Sequence, residues 1–200
     1  MTSQEILDYY SDTSERDIRD DLIFASKTAQ GKIAIDCGCG AGADIAYLRE
    51  QNFTVHAFDI EEASLHLCQD RFKEDPKVFL EKASFESFKY PKADLIVADS
   101  SLFFCPEFEF NEVWSKITKS LHEDGVFCGS FLGPKDTMAC PDYNREAFWP
   151  DVLTFSEQEV KSIFKNFNIL RFTEHNTSGE TPKGAPHHWH IFAVVAQKES

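Results

Sequence analysis

The sequence predicts an α/β protein with a doubly wound sheet of seven mostly parallel strands and an antiparallel last strand. Short apolar runs of strand length alternate with stretches of helical periodicity, which is the pattern of a parallel sheet covered by helices. The last two apolar runs have no helix between them, so a hairpin places one antiparallel strand in the sheet. A glycine-rich turn follows the first apolar run, as is typical of ligand-binding α/β proteins.

The first strand is predicted at residues 32–36, and Gly38, Gly40 and Gly42 follow it at alternate positions. A helical pattern covers residues 44–51. Strand, glycine turn and helix form the unit that brings backbone N–H groups close to a ligand. A glycine pattern alone also fits an ordinary turn between a strand and a helix, so it needs support from other residues.

Two carboxylates supply that support. Asp36 ends the first strand, and Asp59 ends the second apolar run at residues 54–59. The distance of Asp59 from the glycines is near the roughly 20 residues expected for an acid that binds a ribose. Asp59 is therefore predicted to accept both ribose hydroxyls of an adenosine ligand.

The identity of the adenosine ligand depends on charge. Gly38, Gly40 and Ala43 also fit a dinucleotide pattern, but a pyrophosphate would lie near the Asp36 carboxylate, where like charges repel. A ligand with a sulfonium and an ammonium group would be attracted, which favours S-adenosylmethionine over NAD. No Gly-Lys-Ser/Thr follows the glycines, so a Walker-type phosphate site is not expected.

The remaining elements follow from periodicity and capping signals. Ser14 and Asp17 form a possible capping box for a helix that ends near residue 30. Ser156 and Glu159 form a second one. Further helices are predicted at residues 62–73, 111–122 and 156–166, and further strands at 78–81, 93–99, 126–132, 169–174 and 189–197, with a polar hairpin loop at 176–186.

The stretch Asp36-Cys37-Gly38-Cys39-Gly40-Ala41-Gly42, together with Asp59, resembles motif I and the second-strand acid of class I S-adenosylmethionine-dependent methyltransferases. These enzymes have a Rossmann-like fold, and the resemblance extends from about residue 15 to the C-terminus. Residues 131–136, 154–156 and 188–192 further resemble the small bacterial methyltransferases of the tellurite-resistance type. Members of that group differ in their methyl acceptor, so tellurite itself is not implied.

The resemblance implies direct in-line methyl transfer from S-adenosylmethionine to a small-molecule acceptor, with S-adenosylhomocysteine as product. Ser84 stands where the family usually has an aspartate that contacts the adenine amino group. The fourth strand ends in Asp99-Ser100-Ser101 and lacks the Asn/Asp-Pro-Pro-Tyr/Phe signature of methylation on adenine or glutamine. The predicted cofactor-binding residues are Asp36, Gly38, Cys39, Gly40, Asp59, Ile60, Ser84, Phe85, Asp99 and Ser100.

No mandatory catalytic residue can be identified, since a general base is needed only when the acceptor must lose a proton. The candidate bases are Asp99, His175, His187, His188 and His190. His190 lies within a predicted strand, and a packed, hydrogen-bonded histidine is the favoured interpretation. Only His188 and His190 could share a metal ion, which is too few ligands, so no metal site is predicted.

Two other functions remain open at this stage. An NAD-dependent oxidoreductase would share the glycine turn, and a noncatalytic S-adenosylmethionine-binding module would share the whole fold. Calorimetry with the two cofactors separates the first alternative from a methyltransferase. Formation of S-adenosylhomocysteine with a panel of acceptors separates a methyltransferase from the noncatalytic module.

Composition restricts the partners and the location. The 200 residues suit a single domain, and the net charge of −14 disfavours a nucleic-acid partner. No apolar run is long enough to span a bilayer, and residues 1–5 show no signal peptide. Six cysteines without a Cys-x-x-Cys pair predict reduced thiols in a cytoplasmic protein. A monomer or homodimer is expected. We expect residues 1–12, with Tyr9 and Tyr10, to form a loose arm, and residues 133–155 to form a lid over the acceptor.

Overall fold

The structure is a computed structural model that describes residues 16–143, 152–181 and 184–199. Within them, seven strands form one sheet in the order β3-β2-β1-β4-β5-β7-β6. The predicted arm, the Ser14 cap and residues 144–151 of the predicted lid lie outside the described residues. The strands are β1 (Ile33–Cys37), β2 (Thr54–Asp59), β3 (Val78–Lys82), β4 (Ala93–Ala98), β5 (Leu121–Leu132), β6 (Phe167–Glu180) and β7 (Pro186–Lys198).

The pairing confirms the predicted fold class. Strands β3, β2, β1, β4 and β5 pair in parallel, and β7 runs antiparallel to both β5 and β6. The chain leaves β1 toward β2 on one side and later returns to β4 on the other. The topological switch point therefore lies between the carboxyl ends of β1 and β4, where ligands bind in open α/β sheets.

Helices cover both faces of the sheet, each over its own apolar core. On one face, Leu22, Ile45 and Leu65 from three helices pack with strand residues such as Val97. On the other, helix residues such as Ile117 pack within an aromatic core of phenylalanines. The helices are α1 (Asp20–Thr28), α2 (Ala43–Glu50), α3 (Glu62–Phe72), α4 (Phe110–Ser120) and α5 (Glu157–Ile163).

The first helix is shorter than predicted. It begins at Asp20, and residues 16–19 in front of it are not helical. Arg16 and Arg19 in this short segment reach acidic side chains at the carboxyl edge of the sheet. Residues 16–19 are thus non-helical where their arginines form long-range ion pairs. The periodicity of neighbouring residues does not predict such pairs.

The C-terminal hairpin also differs from the prediction. Residues 176–180 and 186, expected in a polar loop, continue the β6–β7 ladder together with residues 187 and 188, and the pairing reaches Glu180 and Pro186. The connection is therefore reduced to residues 181–185. The polar composition of residues 176–180 fits their exposure on β6, which is the edge strand of the sheet.

The capping box of α5 is confirmed. The Ser156 hydroxyl accepts from the Glu159 backbone N–H, and the Glu159 carboxylate accepts from the Ser156 backbone N–H. No helix in the described part of the chain is both long and apolar enough to cross a membrane.

Candidate functional site

The glycine turn after β1 has a backbone that only glycine adopts easily. Gly38, Gly40 and Gly42 have φ angles of +74°, +50° and +78°, all in the left-handed region. A Cβ on Gly38 would lie 2.7 Å from the Cβ of Ser101, which approaches from the end of β4. The turn therefore fixes the distance between the carboxyl ends of β1 and β4.

Asp59 is held rigidly at the end of β2. One carboxylate oxygen accepts from the Gly40 N–H at 2.9 Å, and the other accepts from the Glu61 N–H at 2.9 Å. Each oxygen can accept one further hydrogen bond, so the carboxylate can still receive two hydroxyl donors. Beside it, the Ile60 side chain is 52% exposed, which leaves an apolar surface next to the acid. The predicted roles of both residues remain predictions that this geometry favours.

The turn is poorly suited to a diphosphate. The N–H groups of Gly38 and Cys39 both donate to the Phe58 carbonyl, at 2.9 and 3.0 Å. The first turn of α2, where a diphosphate would bind, carries Asp44, which is 8% exposed. A second anion beside that buried carboxylate would be repelled. The geometry favours a cationic group instead.

Asp36 is the most unusual side chain of the site. It is 3% exposed, and among the described residues its Oδ2 is the buried side-chain nitrogen or oxygen atom without a hydrogen-bond partner. Burial, and next the Asp44 carboxylate, raise the pKa of Asp36 well above its usual range. An unpartnered buried carboxyl oxygen is costly unless a ligand supplies a donor.

Two arginines, which the sequence reasoning missed, complete this acidic site. Arg16 binds Asp44, with 2.7 Å between Nη2 and Oδ2, and its Nη1 lies 3.7 Å from Oδ2 of Asp99. Arg19 also pairs with Asp99. The only sequence signal was the Arg-x-x-Arg spacing just before α1, which the expected helix obscured. Carboxylates and guanidinium groups therefore lie side by side at the switch point.

Ser84 and Phe85 lie on the far side of Asp59, after β3. Ser84 closes a tight turn with Ser87, whose hydroxyl lies 3.1 Å from the Ser84 hydroxyl. The Phe85 ring packs edge-on against Phe58 at 5.3 Å between centroids, and the Phe85 carbonyl accepts from the Tyr90 hydroxyl. Both residues already have structural roles, and their contact with an adenine ring remains a prediction.

Cys39 turns its side chain into the core. Its thiol is buried and hydrogen-bonded to Cys68, and this bond, followed by burial, raises the pKa of Cys39 well above its usual range. Cys68 in turn donates to the Gly40 carbonyl at 3.3 Å. Any contribution of Cys39 to ligand binding therefore comes from its main chain.

The end of β4 is also strained. Ser100 has φ +52°, and its N–H donates to the Ser130 hydroxyl of β5 at 2.8 Å. The adjacent Ser101 is buried, and its hydroxyl donates to the Cys37 carbonyl at 2.6 Å. Such backbone strain clusters at functional sites and persists where neighbouring contacts enforce it. Here the contacts join β1, β4 and β5 at one edge.

A cavity of about 410 Å³ opens beside Asp99 and extends away from β1 toward the hairpin. It lies between the starts of α1 and α2, the ends of β4 and β5, and the middle of β6 and β7. Arg171 borders it and pairs with Asp21 at 3.2 Å. Other lining residues are Arg19, Asp20, Leu22, Asp44, Val97, Cys128, Gly129, Ser130, Thr173, His175, Ile191 and Ala193.

The candidate bases separate into two groups. Asp99 and His175 line the cavity. His188 uses both ring nitrogens, toward Ser178 at 2.7 Å and Asn176 at 2.9 Å. The described residues contain no group of three or more His, Cys, Asp or Glu side chains arranged for a metal ion.

His187 and His190 hold the start of the predicted lid instead. Buried Asp136 accepts from the His190 N–H at 2.9 Å, and its other oxygen lies 3.2 Å from His187 Nε2. The Lys135 N–H donates to His190 Nδ1 at 3.1 Å, and Nε2 lies 2.9 Å from Glu174. His190 therefore has the packed, bonded position favoured from the sequence, and this network fixes residues 133–138 against β7.

Comparison with known proteins agrees with this architecture. Residues 34–125 match a family model described as a methyltransferase domain. TehB from Haemophilus influenzae superposes with a TM-score of 0.77 at 20% identity, covering 97% of this chain and 67% of that one. The protein contains a methyltransferase domain with the class I fold. The predicted family and enzyme class are thus confirmed at the level of the domain. No curated protein matches the chain in sequence.

Two further solved structures similar to this methyltransferase fold contain S-adenosylhomocysteine. One is the 1,6-didemethyltoxoflavin-N1-methyltransferase of Burkholderia thailandensis, with a TM-score of 0.69, 18% identity and coverage of 98% of this chain and 87% of that one. The other is the N-methyltransferase NodS from Bradyrhizobium japonicum WM9, with a TM-score of 0.68, 12% identity and coverage of 98% and 99%. At these identities the likeness concerns the fold.

Proposed function

We propose that the protein transfers a methyl group from S-adenosylmethionine to a small-molecule acceptor. The observation that carries this proposal is the unpartnered Asp36 oxygen, buried in an acidic, glycine-lined site at the switch point. This oxygen requires a hydrogen-bond donor, and the surrounding carboxylates favour a donor that is positively charged. The adjoining cavity of about 410 Å³ has the size of a small-molecule pocket, and Asp99 lies at the border of both.

The residues present fit the proposed donor. Asp59 would accept the ribose hydroxyls, and Ile60 with Phe85 would face the adenine. Asp36 and Asp44 would attract the ammonium group of the methionine part. Arg16, already beside these acids, is placed to receive the carboxylate. When bound, S-adenosylmethionine supplies an activated methyl group.

On the acceptor side, the protein mainly has to orient the reactive atom, which can lower the barrier by several kcal/mol. A hydroxyl acceptor would need a base, and Asp99 and His175 are the titratable side chains of the cavity that are suited to it. A thiolate or an oxyanion would need none. Burial raises the pKa of the Cys128 thiol to about 12, which keeps it protonated and argues against a nucleophilic role.

Partners and location complete the proposal. The net charge of −14 supports a small acceptor rather than a nucleic acid. The Burkholderia protein, with its named acceptor 1,6-didemethyltoxoflavin bound, supports a small molecule as the acceptor class for this fold. Cysteines without Cys-x-x-Cys spacing support a reducing, cytoplasmic location.

Calorimetry with S-adenosylmethionine, S-adenosylhomocysteine and NADH tests the donor. We expect the first two ligands to bind with micromolar affinity and NADH to give no heat of binding, because Asp44 occupies the position of a diphosphate. Tight binding of NADH with no response to the other two would contradict the proposal.

A second experiment tests turnover. The protein is incubated with S-adenosylmethionine and a panel of thiols, oxyanions, phenols and heteroaromatic amines, and S-adenosylhomocysteine is measured. We expect product with at least one class. Donor binding without product across the panel would favour a noncatalytic binding module.

A further inference from the structure

Asp36 combines three properties that a simple ligand contact would not require. Its Oδ2 is buried and has no hydrogen-bond partner among the described residues. It lies at the end of β1, just before the left-handed Gly38. Its closest charged neighbours include two further carboxylates, Asp44 and Asp59.

The charged groups that act on Asp36 come from α2, β2 and the segment before α1, whereas β4 places the apolar Val97 opposite it. Negative charges approach from α2 and β2, and positive charges approach from the segment before α1. Burial and the carboxylates favour the protonated acid, and the arginines oppose it only in part. The groups concerned are Asp44, Asp59, Arg16 and Arg19, with the thiols of Cys37 and Cys39 adjacent.

We propose that Asp36 carries a proton in the ligand-free protein and releases it when the ammonium group of the donor binds. The O–H bond of the carboxylic acid breaks, its electron pair stays on the oxygen, and the proton passes to solvent. The carboxylate then accepts an N–H from the ammonium group. This inference rests on the proposed function and adds a coupling of donor binding to pH.

The coupling has a consequence for affinity. Below the pKa of Asp36, ligand binding must include deprotonation, so affinity rises with pH by up to about tenfold per unit. Above that pKa the carboxylate is already ionised and the dependence disappears. S-Adenosylmethionine and S-adenosylhomocysteine carry the ammonium group, whereas 5′-methylthioadenosine lacks it and is expected to bind without releasing a proton.

Titration calorimetry with S-adenosylhomocysteine, in buffers of the same pH but different ionisation enthalpy, measures the protons released. We expect up to about one proton per ligand below the pKa of Asp36 and none with 5′-methylthioadenosine. Asp36→Asn should abolish the release and flatten the pH dependence of affinity. Asp70→Asn, an exposed position on α3, is the matched control and should behave as the unmodified chain.

The outcomes separate this inference from the proposed function. Binding of S-adenosylhomocysteine without proton release, or release that persists in Asp36→Asn, overturns the coupling and leaves the donor assignment intact. Absence of binding to the unmodified chain overturns the donor assignment itself. If Asp36→Asn does not fold, the ¹³C chemical shift of the Asp36 carboxyl group is followed in the unmodified protein. A protonated signal that ionises on addition of ligand supports the inference, and an already ionised signal contradicts it.

Discussion

The two halves of the candidate site are built in different ways. The proposed donor region, which comprises Asp36, the glycine turn and Asp59, comes from one stretch of chain, in which the Asp59 carboxylate accepts hydrogen bonds from two nearby backbone N–H groups. The proposed acceptor cavity draws on Arg19 before α1, on α1 and α2, and on β4, β5, β6 and β7, so its lining is assembled from the whole fold. The proposed donor region depends mainly on one short motif, whereas the lining of the acceptor cavity can change with any of these elements.

The two regions also handle charge differently. In the proposed donor region, Oδ2 of Asp36 has no hydrogen-bond partner within the part of the chain that the structure describes. In the acceptor cavity, Arg171 is neutralised by Asp21 at 3.2 Å and stacks over the Phe24 ring at 4.0 Å. The proposed donor region therefore offers a ligand a buried carboxyl oxygen that the protein does not bond, whereas charged side chains that line the cavity are paired with one another. Shape rather than net charge is expected to select the acceptor.

The largest effect is expected for Asp59→Ala in the donor region. This change removes the two proposed hydrogen bonds to the ribose and also leaves the Gly40 and Glu61 N–H groups without their acceptor. We expect donor affinity, measured by calorimetry, to fall about 100-fold, since charge-assisted hydrogen bonds contribute about 1.5–3 kcal/mol each.

Asp99→Ala, at the border of the two regions, is the comparison for this prediction. Its carboxylate pairs with Arg16 and Arg19 rather than with the glycine turn, so we expect less than about a tenfold loss of affinity. Equal losses for the two variants would contradict the assignment of Asp59 to the ribose.

Thr173→Trp should affect the acceptor cavity alone. The new ring fills part of the cavity from β6 and blocks the acceptor, while the donor region on β1 and β2 is unchanged. We expect turnover to fall about 30-fold with donor affinity within twofold of the original. Thr177→Trp, an exposed position farther along β6, is the control and should retain turnover. A parallel loss of donor affinity in Thr173→Trp would show that the cavity belongs to the donor.

The sequence was sufficient where structure follows from neighbouring residues. Strand periodicity led to the observed seven-stranded fold class, and the glycine turn with Asp36 and Asp59 at strand ends led to the proposed donor region. These features depend on backbone geometry within a few residues, which composition and spacing record directly. The Ser156 capping box was predictable for the same reason.

Sequence reasoning was less successful where distant residues decide the structure. Arg16 and Arg19 were expected in a helix, but long-range ion pairs hold them across the switch point. The hairpin was expected to open at residue 176, but strand pairing continued through polar residues. The acceptor cavity depends on both of these features, so its lining could not be read from local patterns.

Asp36→Asn tests whether the buried Asp36 carboxyl, which is proposed to bind the donor, lowers the thermal stability of the folded protein. The pKa of Asp36 is raised in the folded state, so its carboxyl favours folding below the unfolded pKa of about 3.9, and this contribution is lost as pH rises through the folded pKa. We expect the variant to gain roughly 2–4 °C in Tm at pH 8, which corresponds to about 1 kcal/mol for a chain of this size, and little or nothing at pH 4. A gain that does not change with pH would mean that charge is not its cause.

Ser156→Ala is the smallest expected effect and tests a locally encoded feature outside both regions. The variant removes the hydroxyl that caps the Glu159 N–H at the start of α5, which lies on the opposite face from α1. We expect a loss of about 0.5–1 kcal/mol in the free energy of unfolding by urea, with unchanged donor affinity. Ser162→Ala, later in the same helix, is the matched control, because its hydroxyl bonds only to the Gln158 carbonyl, which is already within the helix. A change in donor affinity in Ser156→Ala, but not in Ser162→Ala, would mean that α5 is coupled to the donor region. It would contradict the view that this cap acts only on its own helix.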